Sequence, residues 1–276
     1  MGREESPLQR RYTLQLDHAQ WAEIGEHLSG FRRNAAWRRH VDDVNRRLLE
    51  GWGAGARWQR LLKTDAFEEA VGTGVCGFLA SRAGLVITMD LSASTLAVAR
   101  RFHVLPAVVS ADVRRLPIAT GTLDAVVSLS TLDHFPSAAG IHESLAELHR
   151  VLRRGGRLIL TMDNLANPIL WLRSRLPQAP LRRAGIVPYF NGASGTPWQL
   201  SDWLAQAGFR LEQRCAVLHC PRLAAIPVCR LLSMRAARFL QRPCWRLLML
   251  FEGLGRWPTA WLTGHFIAVS AVREDG

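Results

Sequence analysis

Apolar residues recur at three- and four-residue spacing through the N-terminal part of the chain, then give way to short alternating runs. "LDHAQWAEIGEHL" and "AAWRRHVDDVNRRLLEGW" place Trp, Ile, Leu and Val on one helical face, which predicts helices across residues 13–62. Gly51, Gly53 and Gly55 end that region. From Asp65 the period changes. "AFEEAV" predicts a first strand, followed by a glycine turn and a helix. "LVITMD", Leu85 to Asp90, is a second strand, and "SASTLAVARRF" a helix capped by Ser92 or Ser94. "LPAVVSAD", "LDAVVSLS" and "RLILTM" are three further strands. "IHESLAELHRVL", closed by Gly155-Gly156, is the helix before the last of them.

Strands alternating with helices imply right-handed crossovers and a parallel sheet covered on both faces. Residues 165–195 are irregular and read as a lid. "TPWQLSDWLAQAGF" is a helix with Thr196 as cap, Pro197 in its first turn and Gly208 at its end. "RLEQRCAVLHC" and "HFIAVSAVR" are two closing strands, with helical patterning over 221–262 between them. The expected fold is therefore α/β: a Rossmann-like, seven-stranded, mostly parallel sheet with helices on both faces. An N-terminal helical cap (1–63) precedes the main domain (64–276), and a helical insertion precedes the last strand.

Charge adds one asymmetry. Residues 1–63 carry 12 basic and 8 acidic side chains, 64–165 carry 9 and 10, and 166–276 carry 14 and 5. The centre is balanced and the C-terminal part basic, which suits nucleic acid, a membrane surface, an acidic substrate, or simply solvated helix faces. Lys63 is the only lysine. The five cysteines form no C-x-x-C pair, which points to reduced thiols in a cytoplasmic protein without a zinc or other metal site. The N-terminus lacks the apolar core of a signal peptide, and no uncharged run reaches the ~20 residues of a spanning helix.

"GTGVCG" fits G-x-G-x-x-G with Gly72, Gly74 and Gly77, and Asp90 follows at the end of the second strand. Dinucleotide sites share this arrangement. Glu68 and Glu69 decide against a pyrophosphate, which they would repel at about 1 kcal/mol or more per close pair. No "GK[ST]" follows, so a P-loop is excluded. S-adenosylmethionine, with its ammonium, sulfonium and ribose hydroxyls and no phosphate, suits acids at the ends of the first two strands.

The run "FEEAVGTG … VITMDLS … SADVRRLPIATGTLDAVVSLSTLDHF … ELHRVLRRGGRLILTMDN" resembles the class I S-adenosylmethionine-dependent methyltransferases over about residues 64–164. The resemblance implies that Glu68 is the acid ending the first strand, with Gly72 and Gly74 in the turn. It implies that Asp90, followed by Leu91, holds the ribose hydroxyls, that Asp112 bonds the adenine amine, and that Val113 packs on the ring. Ser130 and Leu132 to His134 fall on the loop after the fourth strand. The family's usual first glycine is Ala70 here, which leaves Glu69 as a rival to Glu68.

Methyl transfer needs a general base only where the acceptor must lose a proton. His134 is the candidate by position, with Asp133 able to orient it. Asp163 and Asn164, closing the fifth strand, are expected to face the cleft at the carboxyl ends of the strands. Tyr189 and Asn191 in the lid, and His219, could reach the same cleft. His265 reads as the start of the last strand.

The insertion repeats Arg235, Arg238, Arg242 and Arg246 among leucines and phenylalanines, with Pro243 starting a second helix. Residues 228–253 fit either a cap packed on the sheet or a peripheral contact with an anionic membrane. The expected activity is S-adenosylmethionine-dependent methyl transfer to a small-molecule acceptor, hydrophobic or lipid-linked, in the cytoplasm or at a membrane periphery. The alternatives are an RNA methyltransferase, although no separate RNA-binding module is visible, an NAD(P)-dependent oxidoreductase, and a non-catalytic cofactor-binding protein. Oligomeric state is not legible.

Overall fold

The computed structural model describes residues 28, 34–53, 55–177, 192–233 and 239–274. Helix α1 (Ala35–Trp52) leads into strand β1 (Trp58–Lys63), then helices α2 (Phe67–Val71) and α3 (Cys76–Ala80). Strand β2 (Ala83–Asp90), helix α4 (Ala93–Phe102), strand β3 (Ala107–Ser110) and strand β4 (Leu123–Leu129) follow. Helix α5 (Ala138–Val151), strand β5 (Leu152–Asp163), helix α6 (Pro168–Arg175), helix α7 (Pro197–Gln206) and strand β6 (Phe209–Val217) come next. Helices α8 (Arg222–Leu232), α9 (Gln241–Phe251) and α10 (Ala260–Thr263) precede strand β7 (Phe266–Arg273). The seven strands lie in the order β3-β2-β1-β4-β5-β7-β6. β7 is antiparallel to both β5 and β6, and the pairs among β1 to β5 are parallel. The expected Rossmann-like sheet is present.

Alternation along the strands divides the core into two faces. Leu62, Val126, Leu158 and Leu160 pack on one side with Ile141, Leu145 and Leu148 of α5 and Leu200 and Leu204 of α7. Leu61, Val86, Val127 and Ile159 point to the other, with Leu49 of α1 and Leu79 of α3. Ile141, Leu145 and Leu148 are fully buried, and each contributes about 1.5–3 kcal/mol by leaving water. A third cluster joins α1 to the insertion: Trp37, Val41 and Val44 meet Ala225, Cys229 and Leu248.

The expected helix ends hold where polar caps mark them. Ser92 accepts from the Thr95 amide at 3.2 Å, and Ser94 bonds the Ser92 hydroxyl. Thr196 and Gln199 form a reciprocal capping box at the start of α7.

Residues 165–195, read as irregular, contain helix α6 over Pro168–Arg175, capped by Asn167. Three further local expectations are corrected. "AFEEAV" is not a strand, because Phe67–Val71 is helix α2, beyond the carboxyl end of the sheet. The first strand is "WQRLLK", inside the stretch read as helical over 13–62; α1 ends at Trp52, where the Gly53 amide donates to the Leu49 carbonyl. Gly155-Gly156 does not close a helix. α5 passes directly into β5, and Gly155 takes its positive φ of 69° inside that strand.

Candidate functional site

A cleft of about 1110 Å³ opens at the carboxyl ends of the central strands. That is where open α/β sheets bind ligands. One half of its wall comes from the strand ends and the other from α1, α6 and α8.

At the end of β1, Lys63 is 1% exposed. Its Nζ donates to Glu69 at 2.9 Å, to Asp65 Oδ1 at 3.1 Å and to the Asp65 carbonyl at 2.7 Å. The other Glu69 oxygen accepts from the Val75 and Cys76 amides, each at 3.0 Å. Burial opposes the charge on Glu69, but the Lys63 pair and these bonds hold its carboxyl below the usual range. Asp65 is pushed up by burial, against the pull of Lys63. Asp65 and Glu68 both line the cleft. Arg38 donates to Glu68 Oε1 at 2.9 Å. Asp65 Oδ2 and Glu68 Oε2 are buried with no hydrogen-bond partner among the described residues.

At the end of β2, Asp90 accepts from the Ala66 amide at 2.9 Å and the Ser92 amide at 2.8 Å, and burial pushes its carboxyl up to about 7. Leu91, Asp112 and Val113 line the same half. Asp112 receives a fork from its neighbour: Arg114 Nε lies at 3.0 Å from both oxygens and a terminal nitrogen at 2.7 Å. Arg114 in turn stacks 4.6 Å from the Phe135 ring centroid.

Between the halves runs the loop after β4. Ser130 takes a positive φ of 52°, which lets its amide reach the Thr161 carbonyl at 2.9 Å while its hydroxyl donates to Asp133 at 2.9 Å. Asp133 is 2% exposed and accepts from the Asp163 amide; burial beside Asp163 pushes its carboxyl up. His134 lines the cleft with Nε2 3.9 Å from Asp133.

In the other half Asp163 is paired with Arg173 and lies 3.3 Å from His265 Nε2. Burial opposes its ionisation, yet His265, Arg173 and Arg222 hold the carboxyl far below the usual range. Arg222 donates to His265, and burial together with that guanidinium pushes the imidazole down to about 4. His219 is held by Thr263 Oγ1 at 2.8 Å and donates to the Ala216 carbonyl at 3.0 Å.

Of the residues singled out from the sequence, Glu68, Asp90, Leu91, Asp112, Val113, Ser130, His134 and Asp163 come together in this cleft. Glu69, Gly72 and Gly74 do not. Glu69 is buried beneath Lys63. The glycine turn faces a separate groove and cradles the chain's own Asp42, which accepts from the Thr73 and Gly74 amides at 3.1 Å each. The misplacement follows from the first strand: once β1 ends at Lys63, the turn lies a helix beyond the cleft. Asn164 is buried in structural bonds to the Trp261 and Gly264 carbonyls. Tyr189, Asn191, Arg235 and Arg238 lie outside the described residues. Asp65, Arg173 and Arg222 were not singled out. Asp65 is legible only when Leu61-Leu62 is read as a strand end, and nothing in the sequence brings the two arginines together.

Known proteins agree with this arrangement. Residues 70–160 match the methyltransferase domain family. A probable S-adenosylmethionine-dependent methyltransferase of Mycolicibacterium smegmatis is 24% identical over 200 residues, covering 72% of this chain and 69% of that protein. Family match, relatives and fold together support a class I S-adenosylmethionine-dependent methyltransferase. A second relative of this methyltransferase, also a probable S-adenosylmethionine-dependent one, comes from Mycobacterium tuberculosis. It is 27% identical over 165 residues, and the match spans 59% of this chain and only 55% of the relative's own length. The crystal structure of an S-adenosylmethionine-dependent methyltransferase from Mesorhizobium loti shares the fold, with a TM-score of 0.51 and 18% identity over 79% of this chain and 92% of that one.

The family's cofactor fits the residues present. Among the described residues the methyltransferase offers four carboxylates at the strand-end half, two of them with orphaned oxygens, and no lysine or glycine nest for a phosphate faces that space. A donor with a cationic amino-acid end and ribose hydroxyls satisfies such a set, whereas a pyrophosphate would be repelled by it.

Proposed function

We propose that the enzyme transfers the methyl group of S-adenosylmethionine to a small, largely hydrophobic acceptor seated in the insertion-side half of the cleft. The observation that carries this reading is the division of one cleft into an acidic half at the strand ends and a half under α1, α6 and α8 where Trp37, Leu170 and Ile226 stand beside Arg173 and Arg222. Asp65 and Glu68 would hold the cofactor's ammonium with their unpartnered oxygens. Asp90 would accept from the ribose hydroxyls, and Asp112 and Val113 would hold the adenine. The bound cofactor supplies a methyl already activated by sulfonium, so positioning and exclusion of water carry most of the rate.

Trp37, Leu170 and Ile226 line the acceptor half and exclude water from it. His134, at the divide, is assigned to receive a proton where the acceptor must lose one. Asp163 acts through Arg173 and His265, since a carboxyl held so far below its usual range is a poor base. The insertion supports a lipid-linked or membrane-borne acceptor. Leu231, Leu247 and Leu250 are exposed beside Arg230, Arg242 and Arg246, which suits peripheral contact with an anionic surface through 228–253. Among the described residues no helix is long and apolar enough to cross a membrane.

Incubating extract with the protein and deuteromethyl-labelled cofactor, followed by mass spectrometry, tests the reading. A labelled metabolite or lipid is expected. Label confined to RNA would overturn the acceptor class, and absence of label from every fraction would favour a non-catalytic binding protein.

A further inference from the structure

We propose that the acceptor is an anionic amphiphile, and that Arg222 and Arg173 form the subsite for its carboxylate or phosphate while the apolar wall of the cleft takes its hydrocarbon body. This rests on the methyltransferase reading and narrows its substrate class. Arg173 near the end of α6 and Arg222 at the start of α8 both line the insertion-side half, and Arg230 lines it two turns further along α8. Among the described residues that line this half, Asp163 is the carboxylate set between them; Asp133 lies at the divide. Burial and Arg222 keep His265 neutral above about pH 4, so it does not add charge at neutral pH. That half of the cleft therefore carries a surplus of positive charge, with Arg173 and Arg222 half-buried in its wall.

The guanidiniums are also pre-set. Arg222 Cζ lies 5.6 Å from the Trp37 ring centroid and 5.9 Å from that of Phe266, within cation–π reach of both. Among the described residues it bonds only His265, although a guanidinium has five N–H donors. Arg173 gives one terminal nitrogen to Asp163, and its Nε is buried without a partner among the described residues. Two forks with spare donors match a carboxylate or phosphate in bidentate fashion, and lysine would not reproduce that geometry. Around them Trp37, Ile169, Leu170, Ile226, Phe251 and Leu262 supply an apolar wall.

Orientation follows from the opposite charges of the two halves. The anionic group is drawn to Arg173 and Arg222, whereas the strand-end acids Asp65, Glu68 and Asp112, held by Lys63, Arg38 and Arg114, give it no such site. The other end of the acceptor is thereby directed toward the Ser130–His134 loop, where the methyl group would be delivered.

The test is isothermal titration of protein saturated with S-adenosylhomocysteine, using sub-micellar dodecanoate, dodecyl phosphate and dodecanol in turn. The two anions are expected to bind at least about tenfold more tightly than the alcohol, the range of a charge-assisted bidentate pair. Arg222→Gln and Arg173→Gln should each remove most of that preference, and Arg222→Lys should restore only part of it. Retained S-adenosylhomocysteine binding reports that each variant is folded; should Arg222→Gln fail that check, Arg173→Gln carries the test. Flotation with phosphatidylglycerol vesicles separates the sources of the anion. Vesicle binding lost together with dodecanoate binding assigns it to a lipid headgroup, and vesicle binding that persists assigns it to a diffusing amphiphile. Equal affinity for dodecanol and dodecanoate, or a preference that survives both Gln substitutions, would overturn the subsite. Failure of S-adenosylhomocysteine itself to bind would overturn the methyltransferase reading instead.

Discussion

The strand-end half of the cleft presents Asp65, Glu68, Asp90 and Asp112, whereas the insertion-side half presents Arg173, Arg222 and Arg230. The first set sits on or next to β1, β2 and β3, whose order any protein of this fold must reproduce. The second set comes from α6 and α8, elements that follow the parallel core. The contrast teaches where generality and particularity lie. On the proposed reading, cofactor chemistry is written into the sheet, and acceptor chemistry into the helices laid over its edge. A like contrast exists among the acids themselves. Glu69 is saturated by Lys63 and two amides, while its neighbours Asp65 and Glu68 keep buried oxygens without partners among the described residues.

The largest effect that would sharpen this comparison is on stability. Glu69→Ala leaves Lys63 buried with only Asp65, and breaking a buried pair costs about 3–5 kcal/mol. Denaturant unfolding should show that loss, while molecules still folded keep their affinity for S-adenosylhomocysteine. A large loss of affinity with little loss of stability would return Glu69 to the cofactor site. Next is Gly74→Ala. Gly74 has φ 62°, and an added Cβ would run into the Glu69 carboxylate. The expected cost is about 2 kcal/mol of stability, read by thermal unfolding, again with cofactor affinity unchanged.

Asp90 should behave in the opposite way. Asp90→Ala should weaken cofactor binding at least about tenfold, some 1.4 kcal/mol, by removing charge-assisted hydrogen bonds. Its titration adds a pH signature. Because the folded carboxyl stands near 7 against 3.8 unfolded, its contribution to the stability of the free protein is fully present below pH 3.8 and lost as pH rises through about 7. Cofactor hydroxyls favour the ionised form, so affinity should rise between pH 6 and 8 in calorimetry, and Asp90→Asn should flatten that rise.

The architecture was readable because β2, β4, β5 and β7 are apolar runs bounded by turns and polar caps, and α5 carries Ile141, Leu145 and Leu148 on one stripe. β1 escaped because Leu61 and Leu62 are buried on opposite faces of a short strand, which erases the alternation that marks a half-exposed one. The glycine triplet then drew the first strand a helix too far along the chain. Asp90, Asp112 and Ser130 still line the cleft as expected from the sequence, since each ends or follows a correctly read strand. Arg173 and Arg222 were not, because tertiary packing against Asp163 and His265 alone gives them their place.

Calorimetric titration of the purified protein with S-adenosylmethionine and, separately, with NADH tests most directly that the acidic strand ends receive a cationic donor free of phosphate. The expected result is saturable binding of S-adenosylmethionine and none of NADH. Binding of NADH with none of S-adenosylmethionine would contradict it.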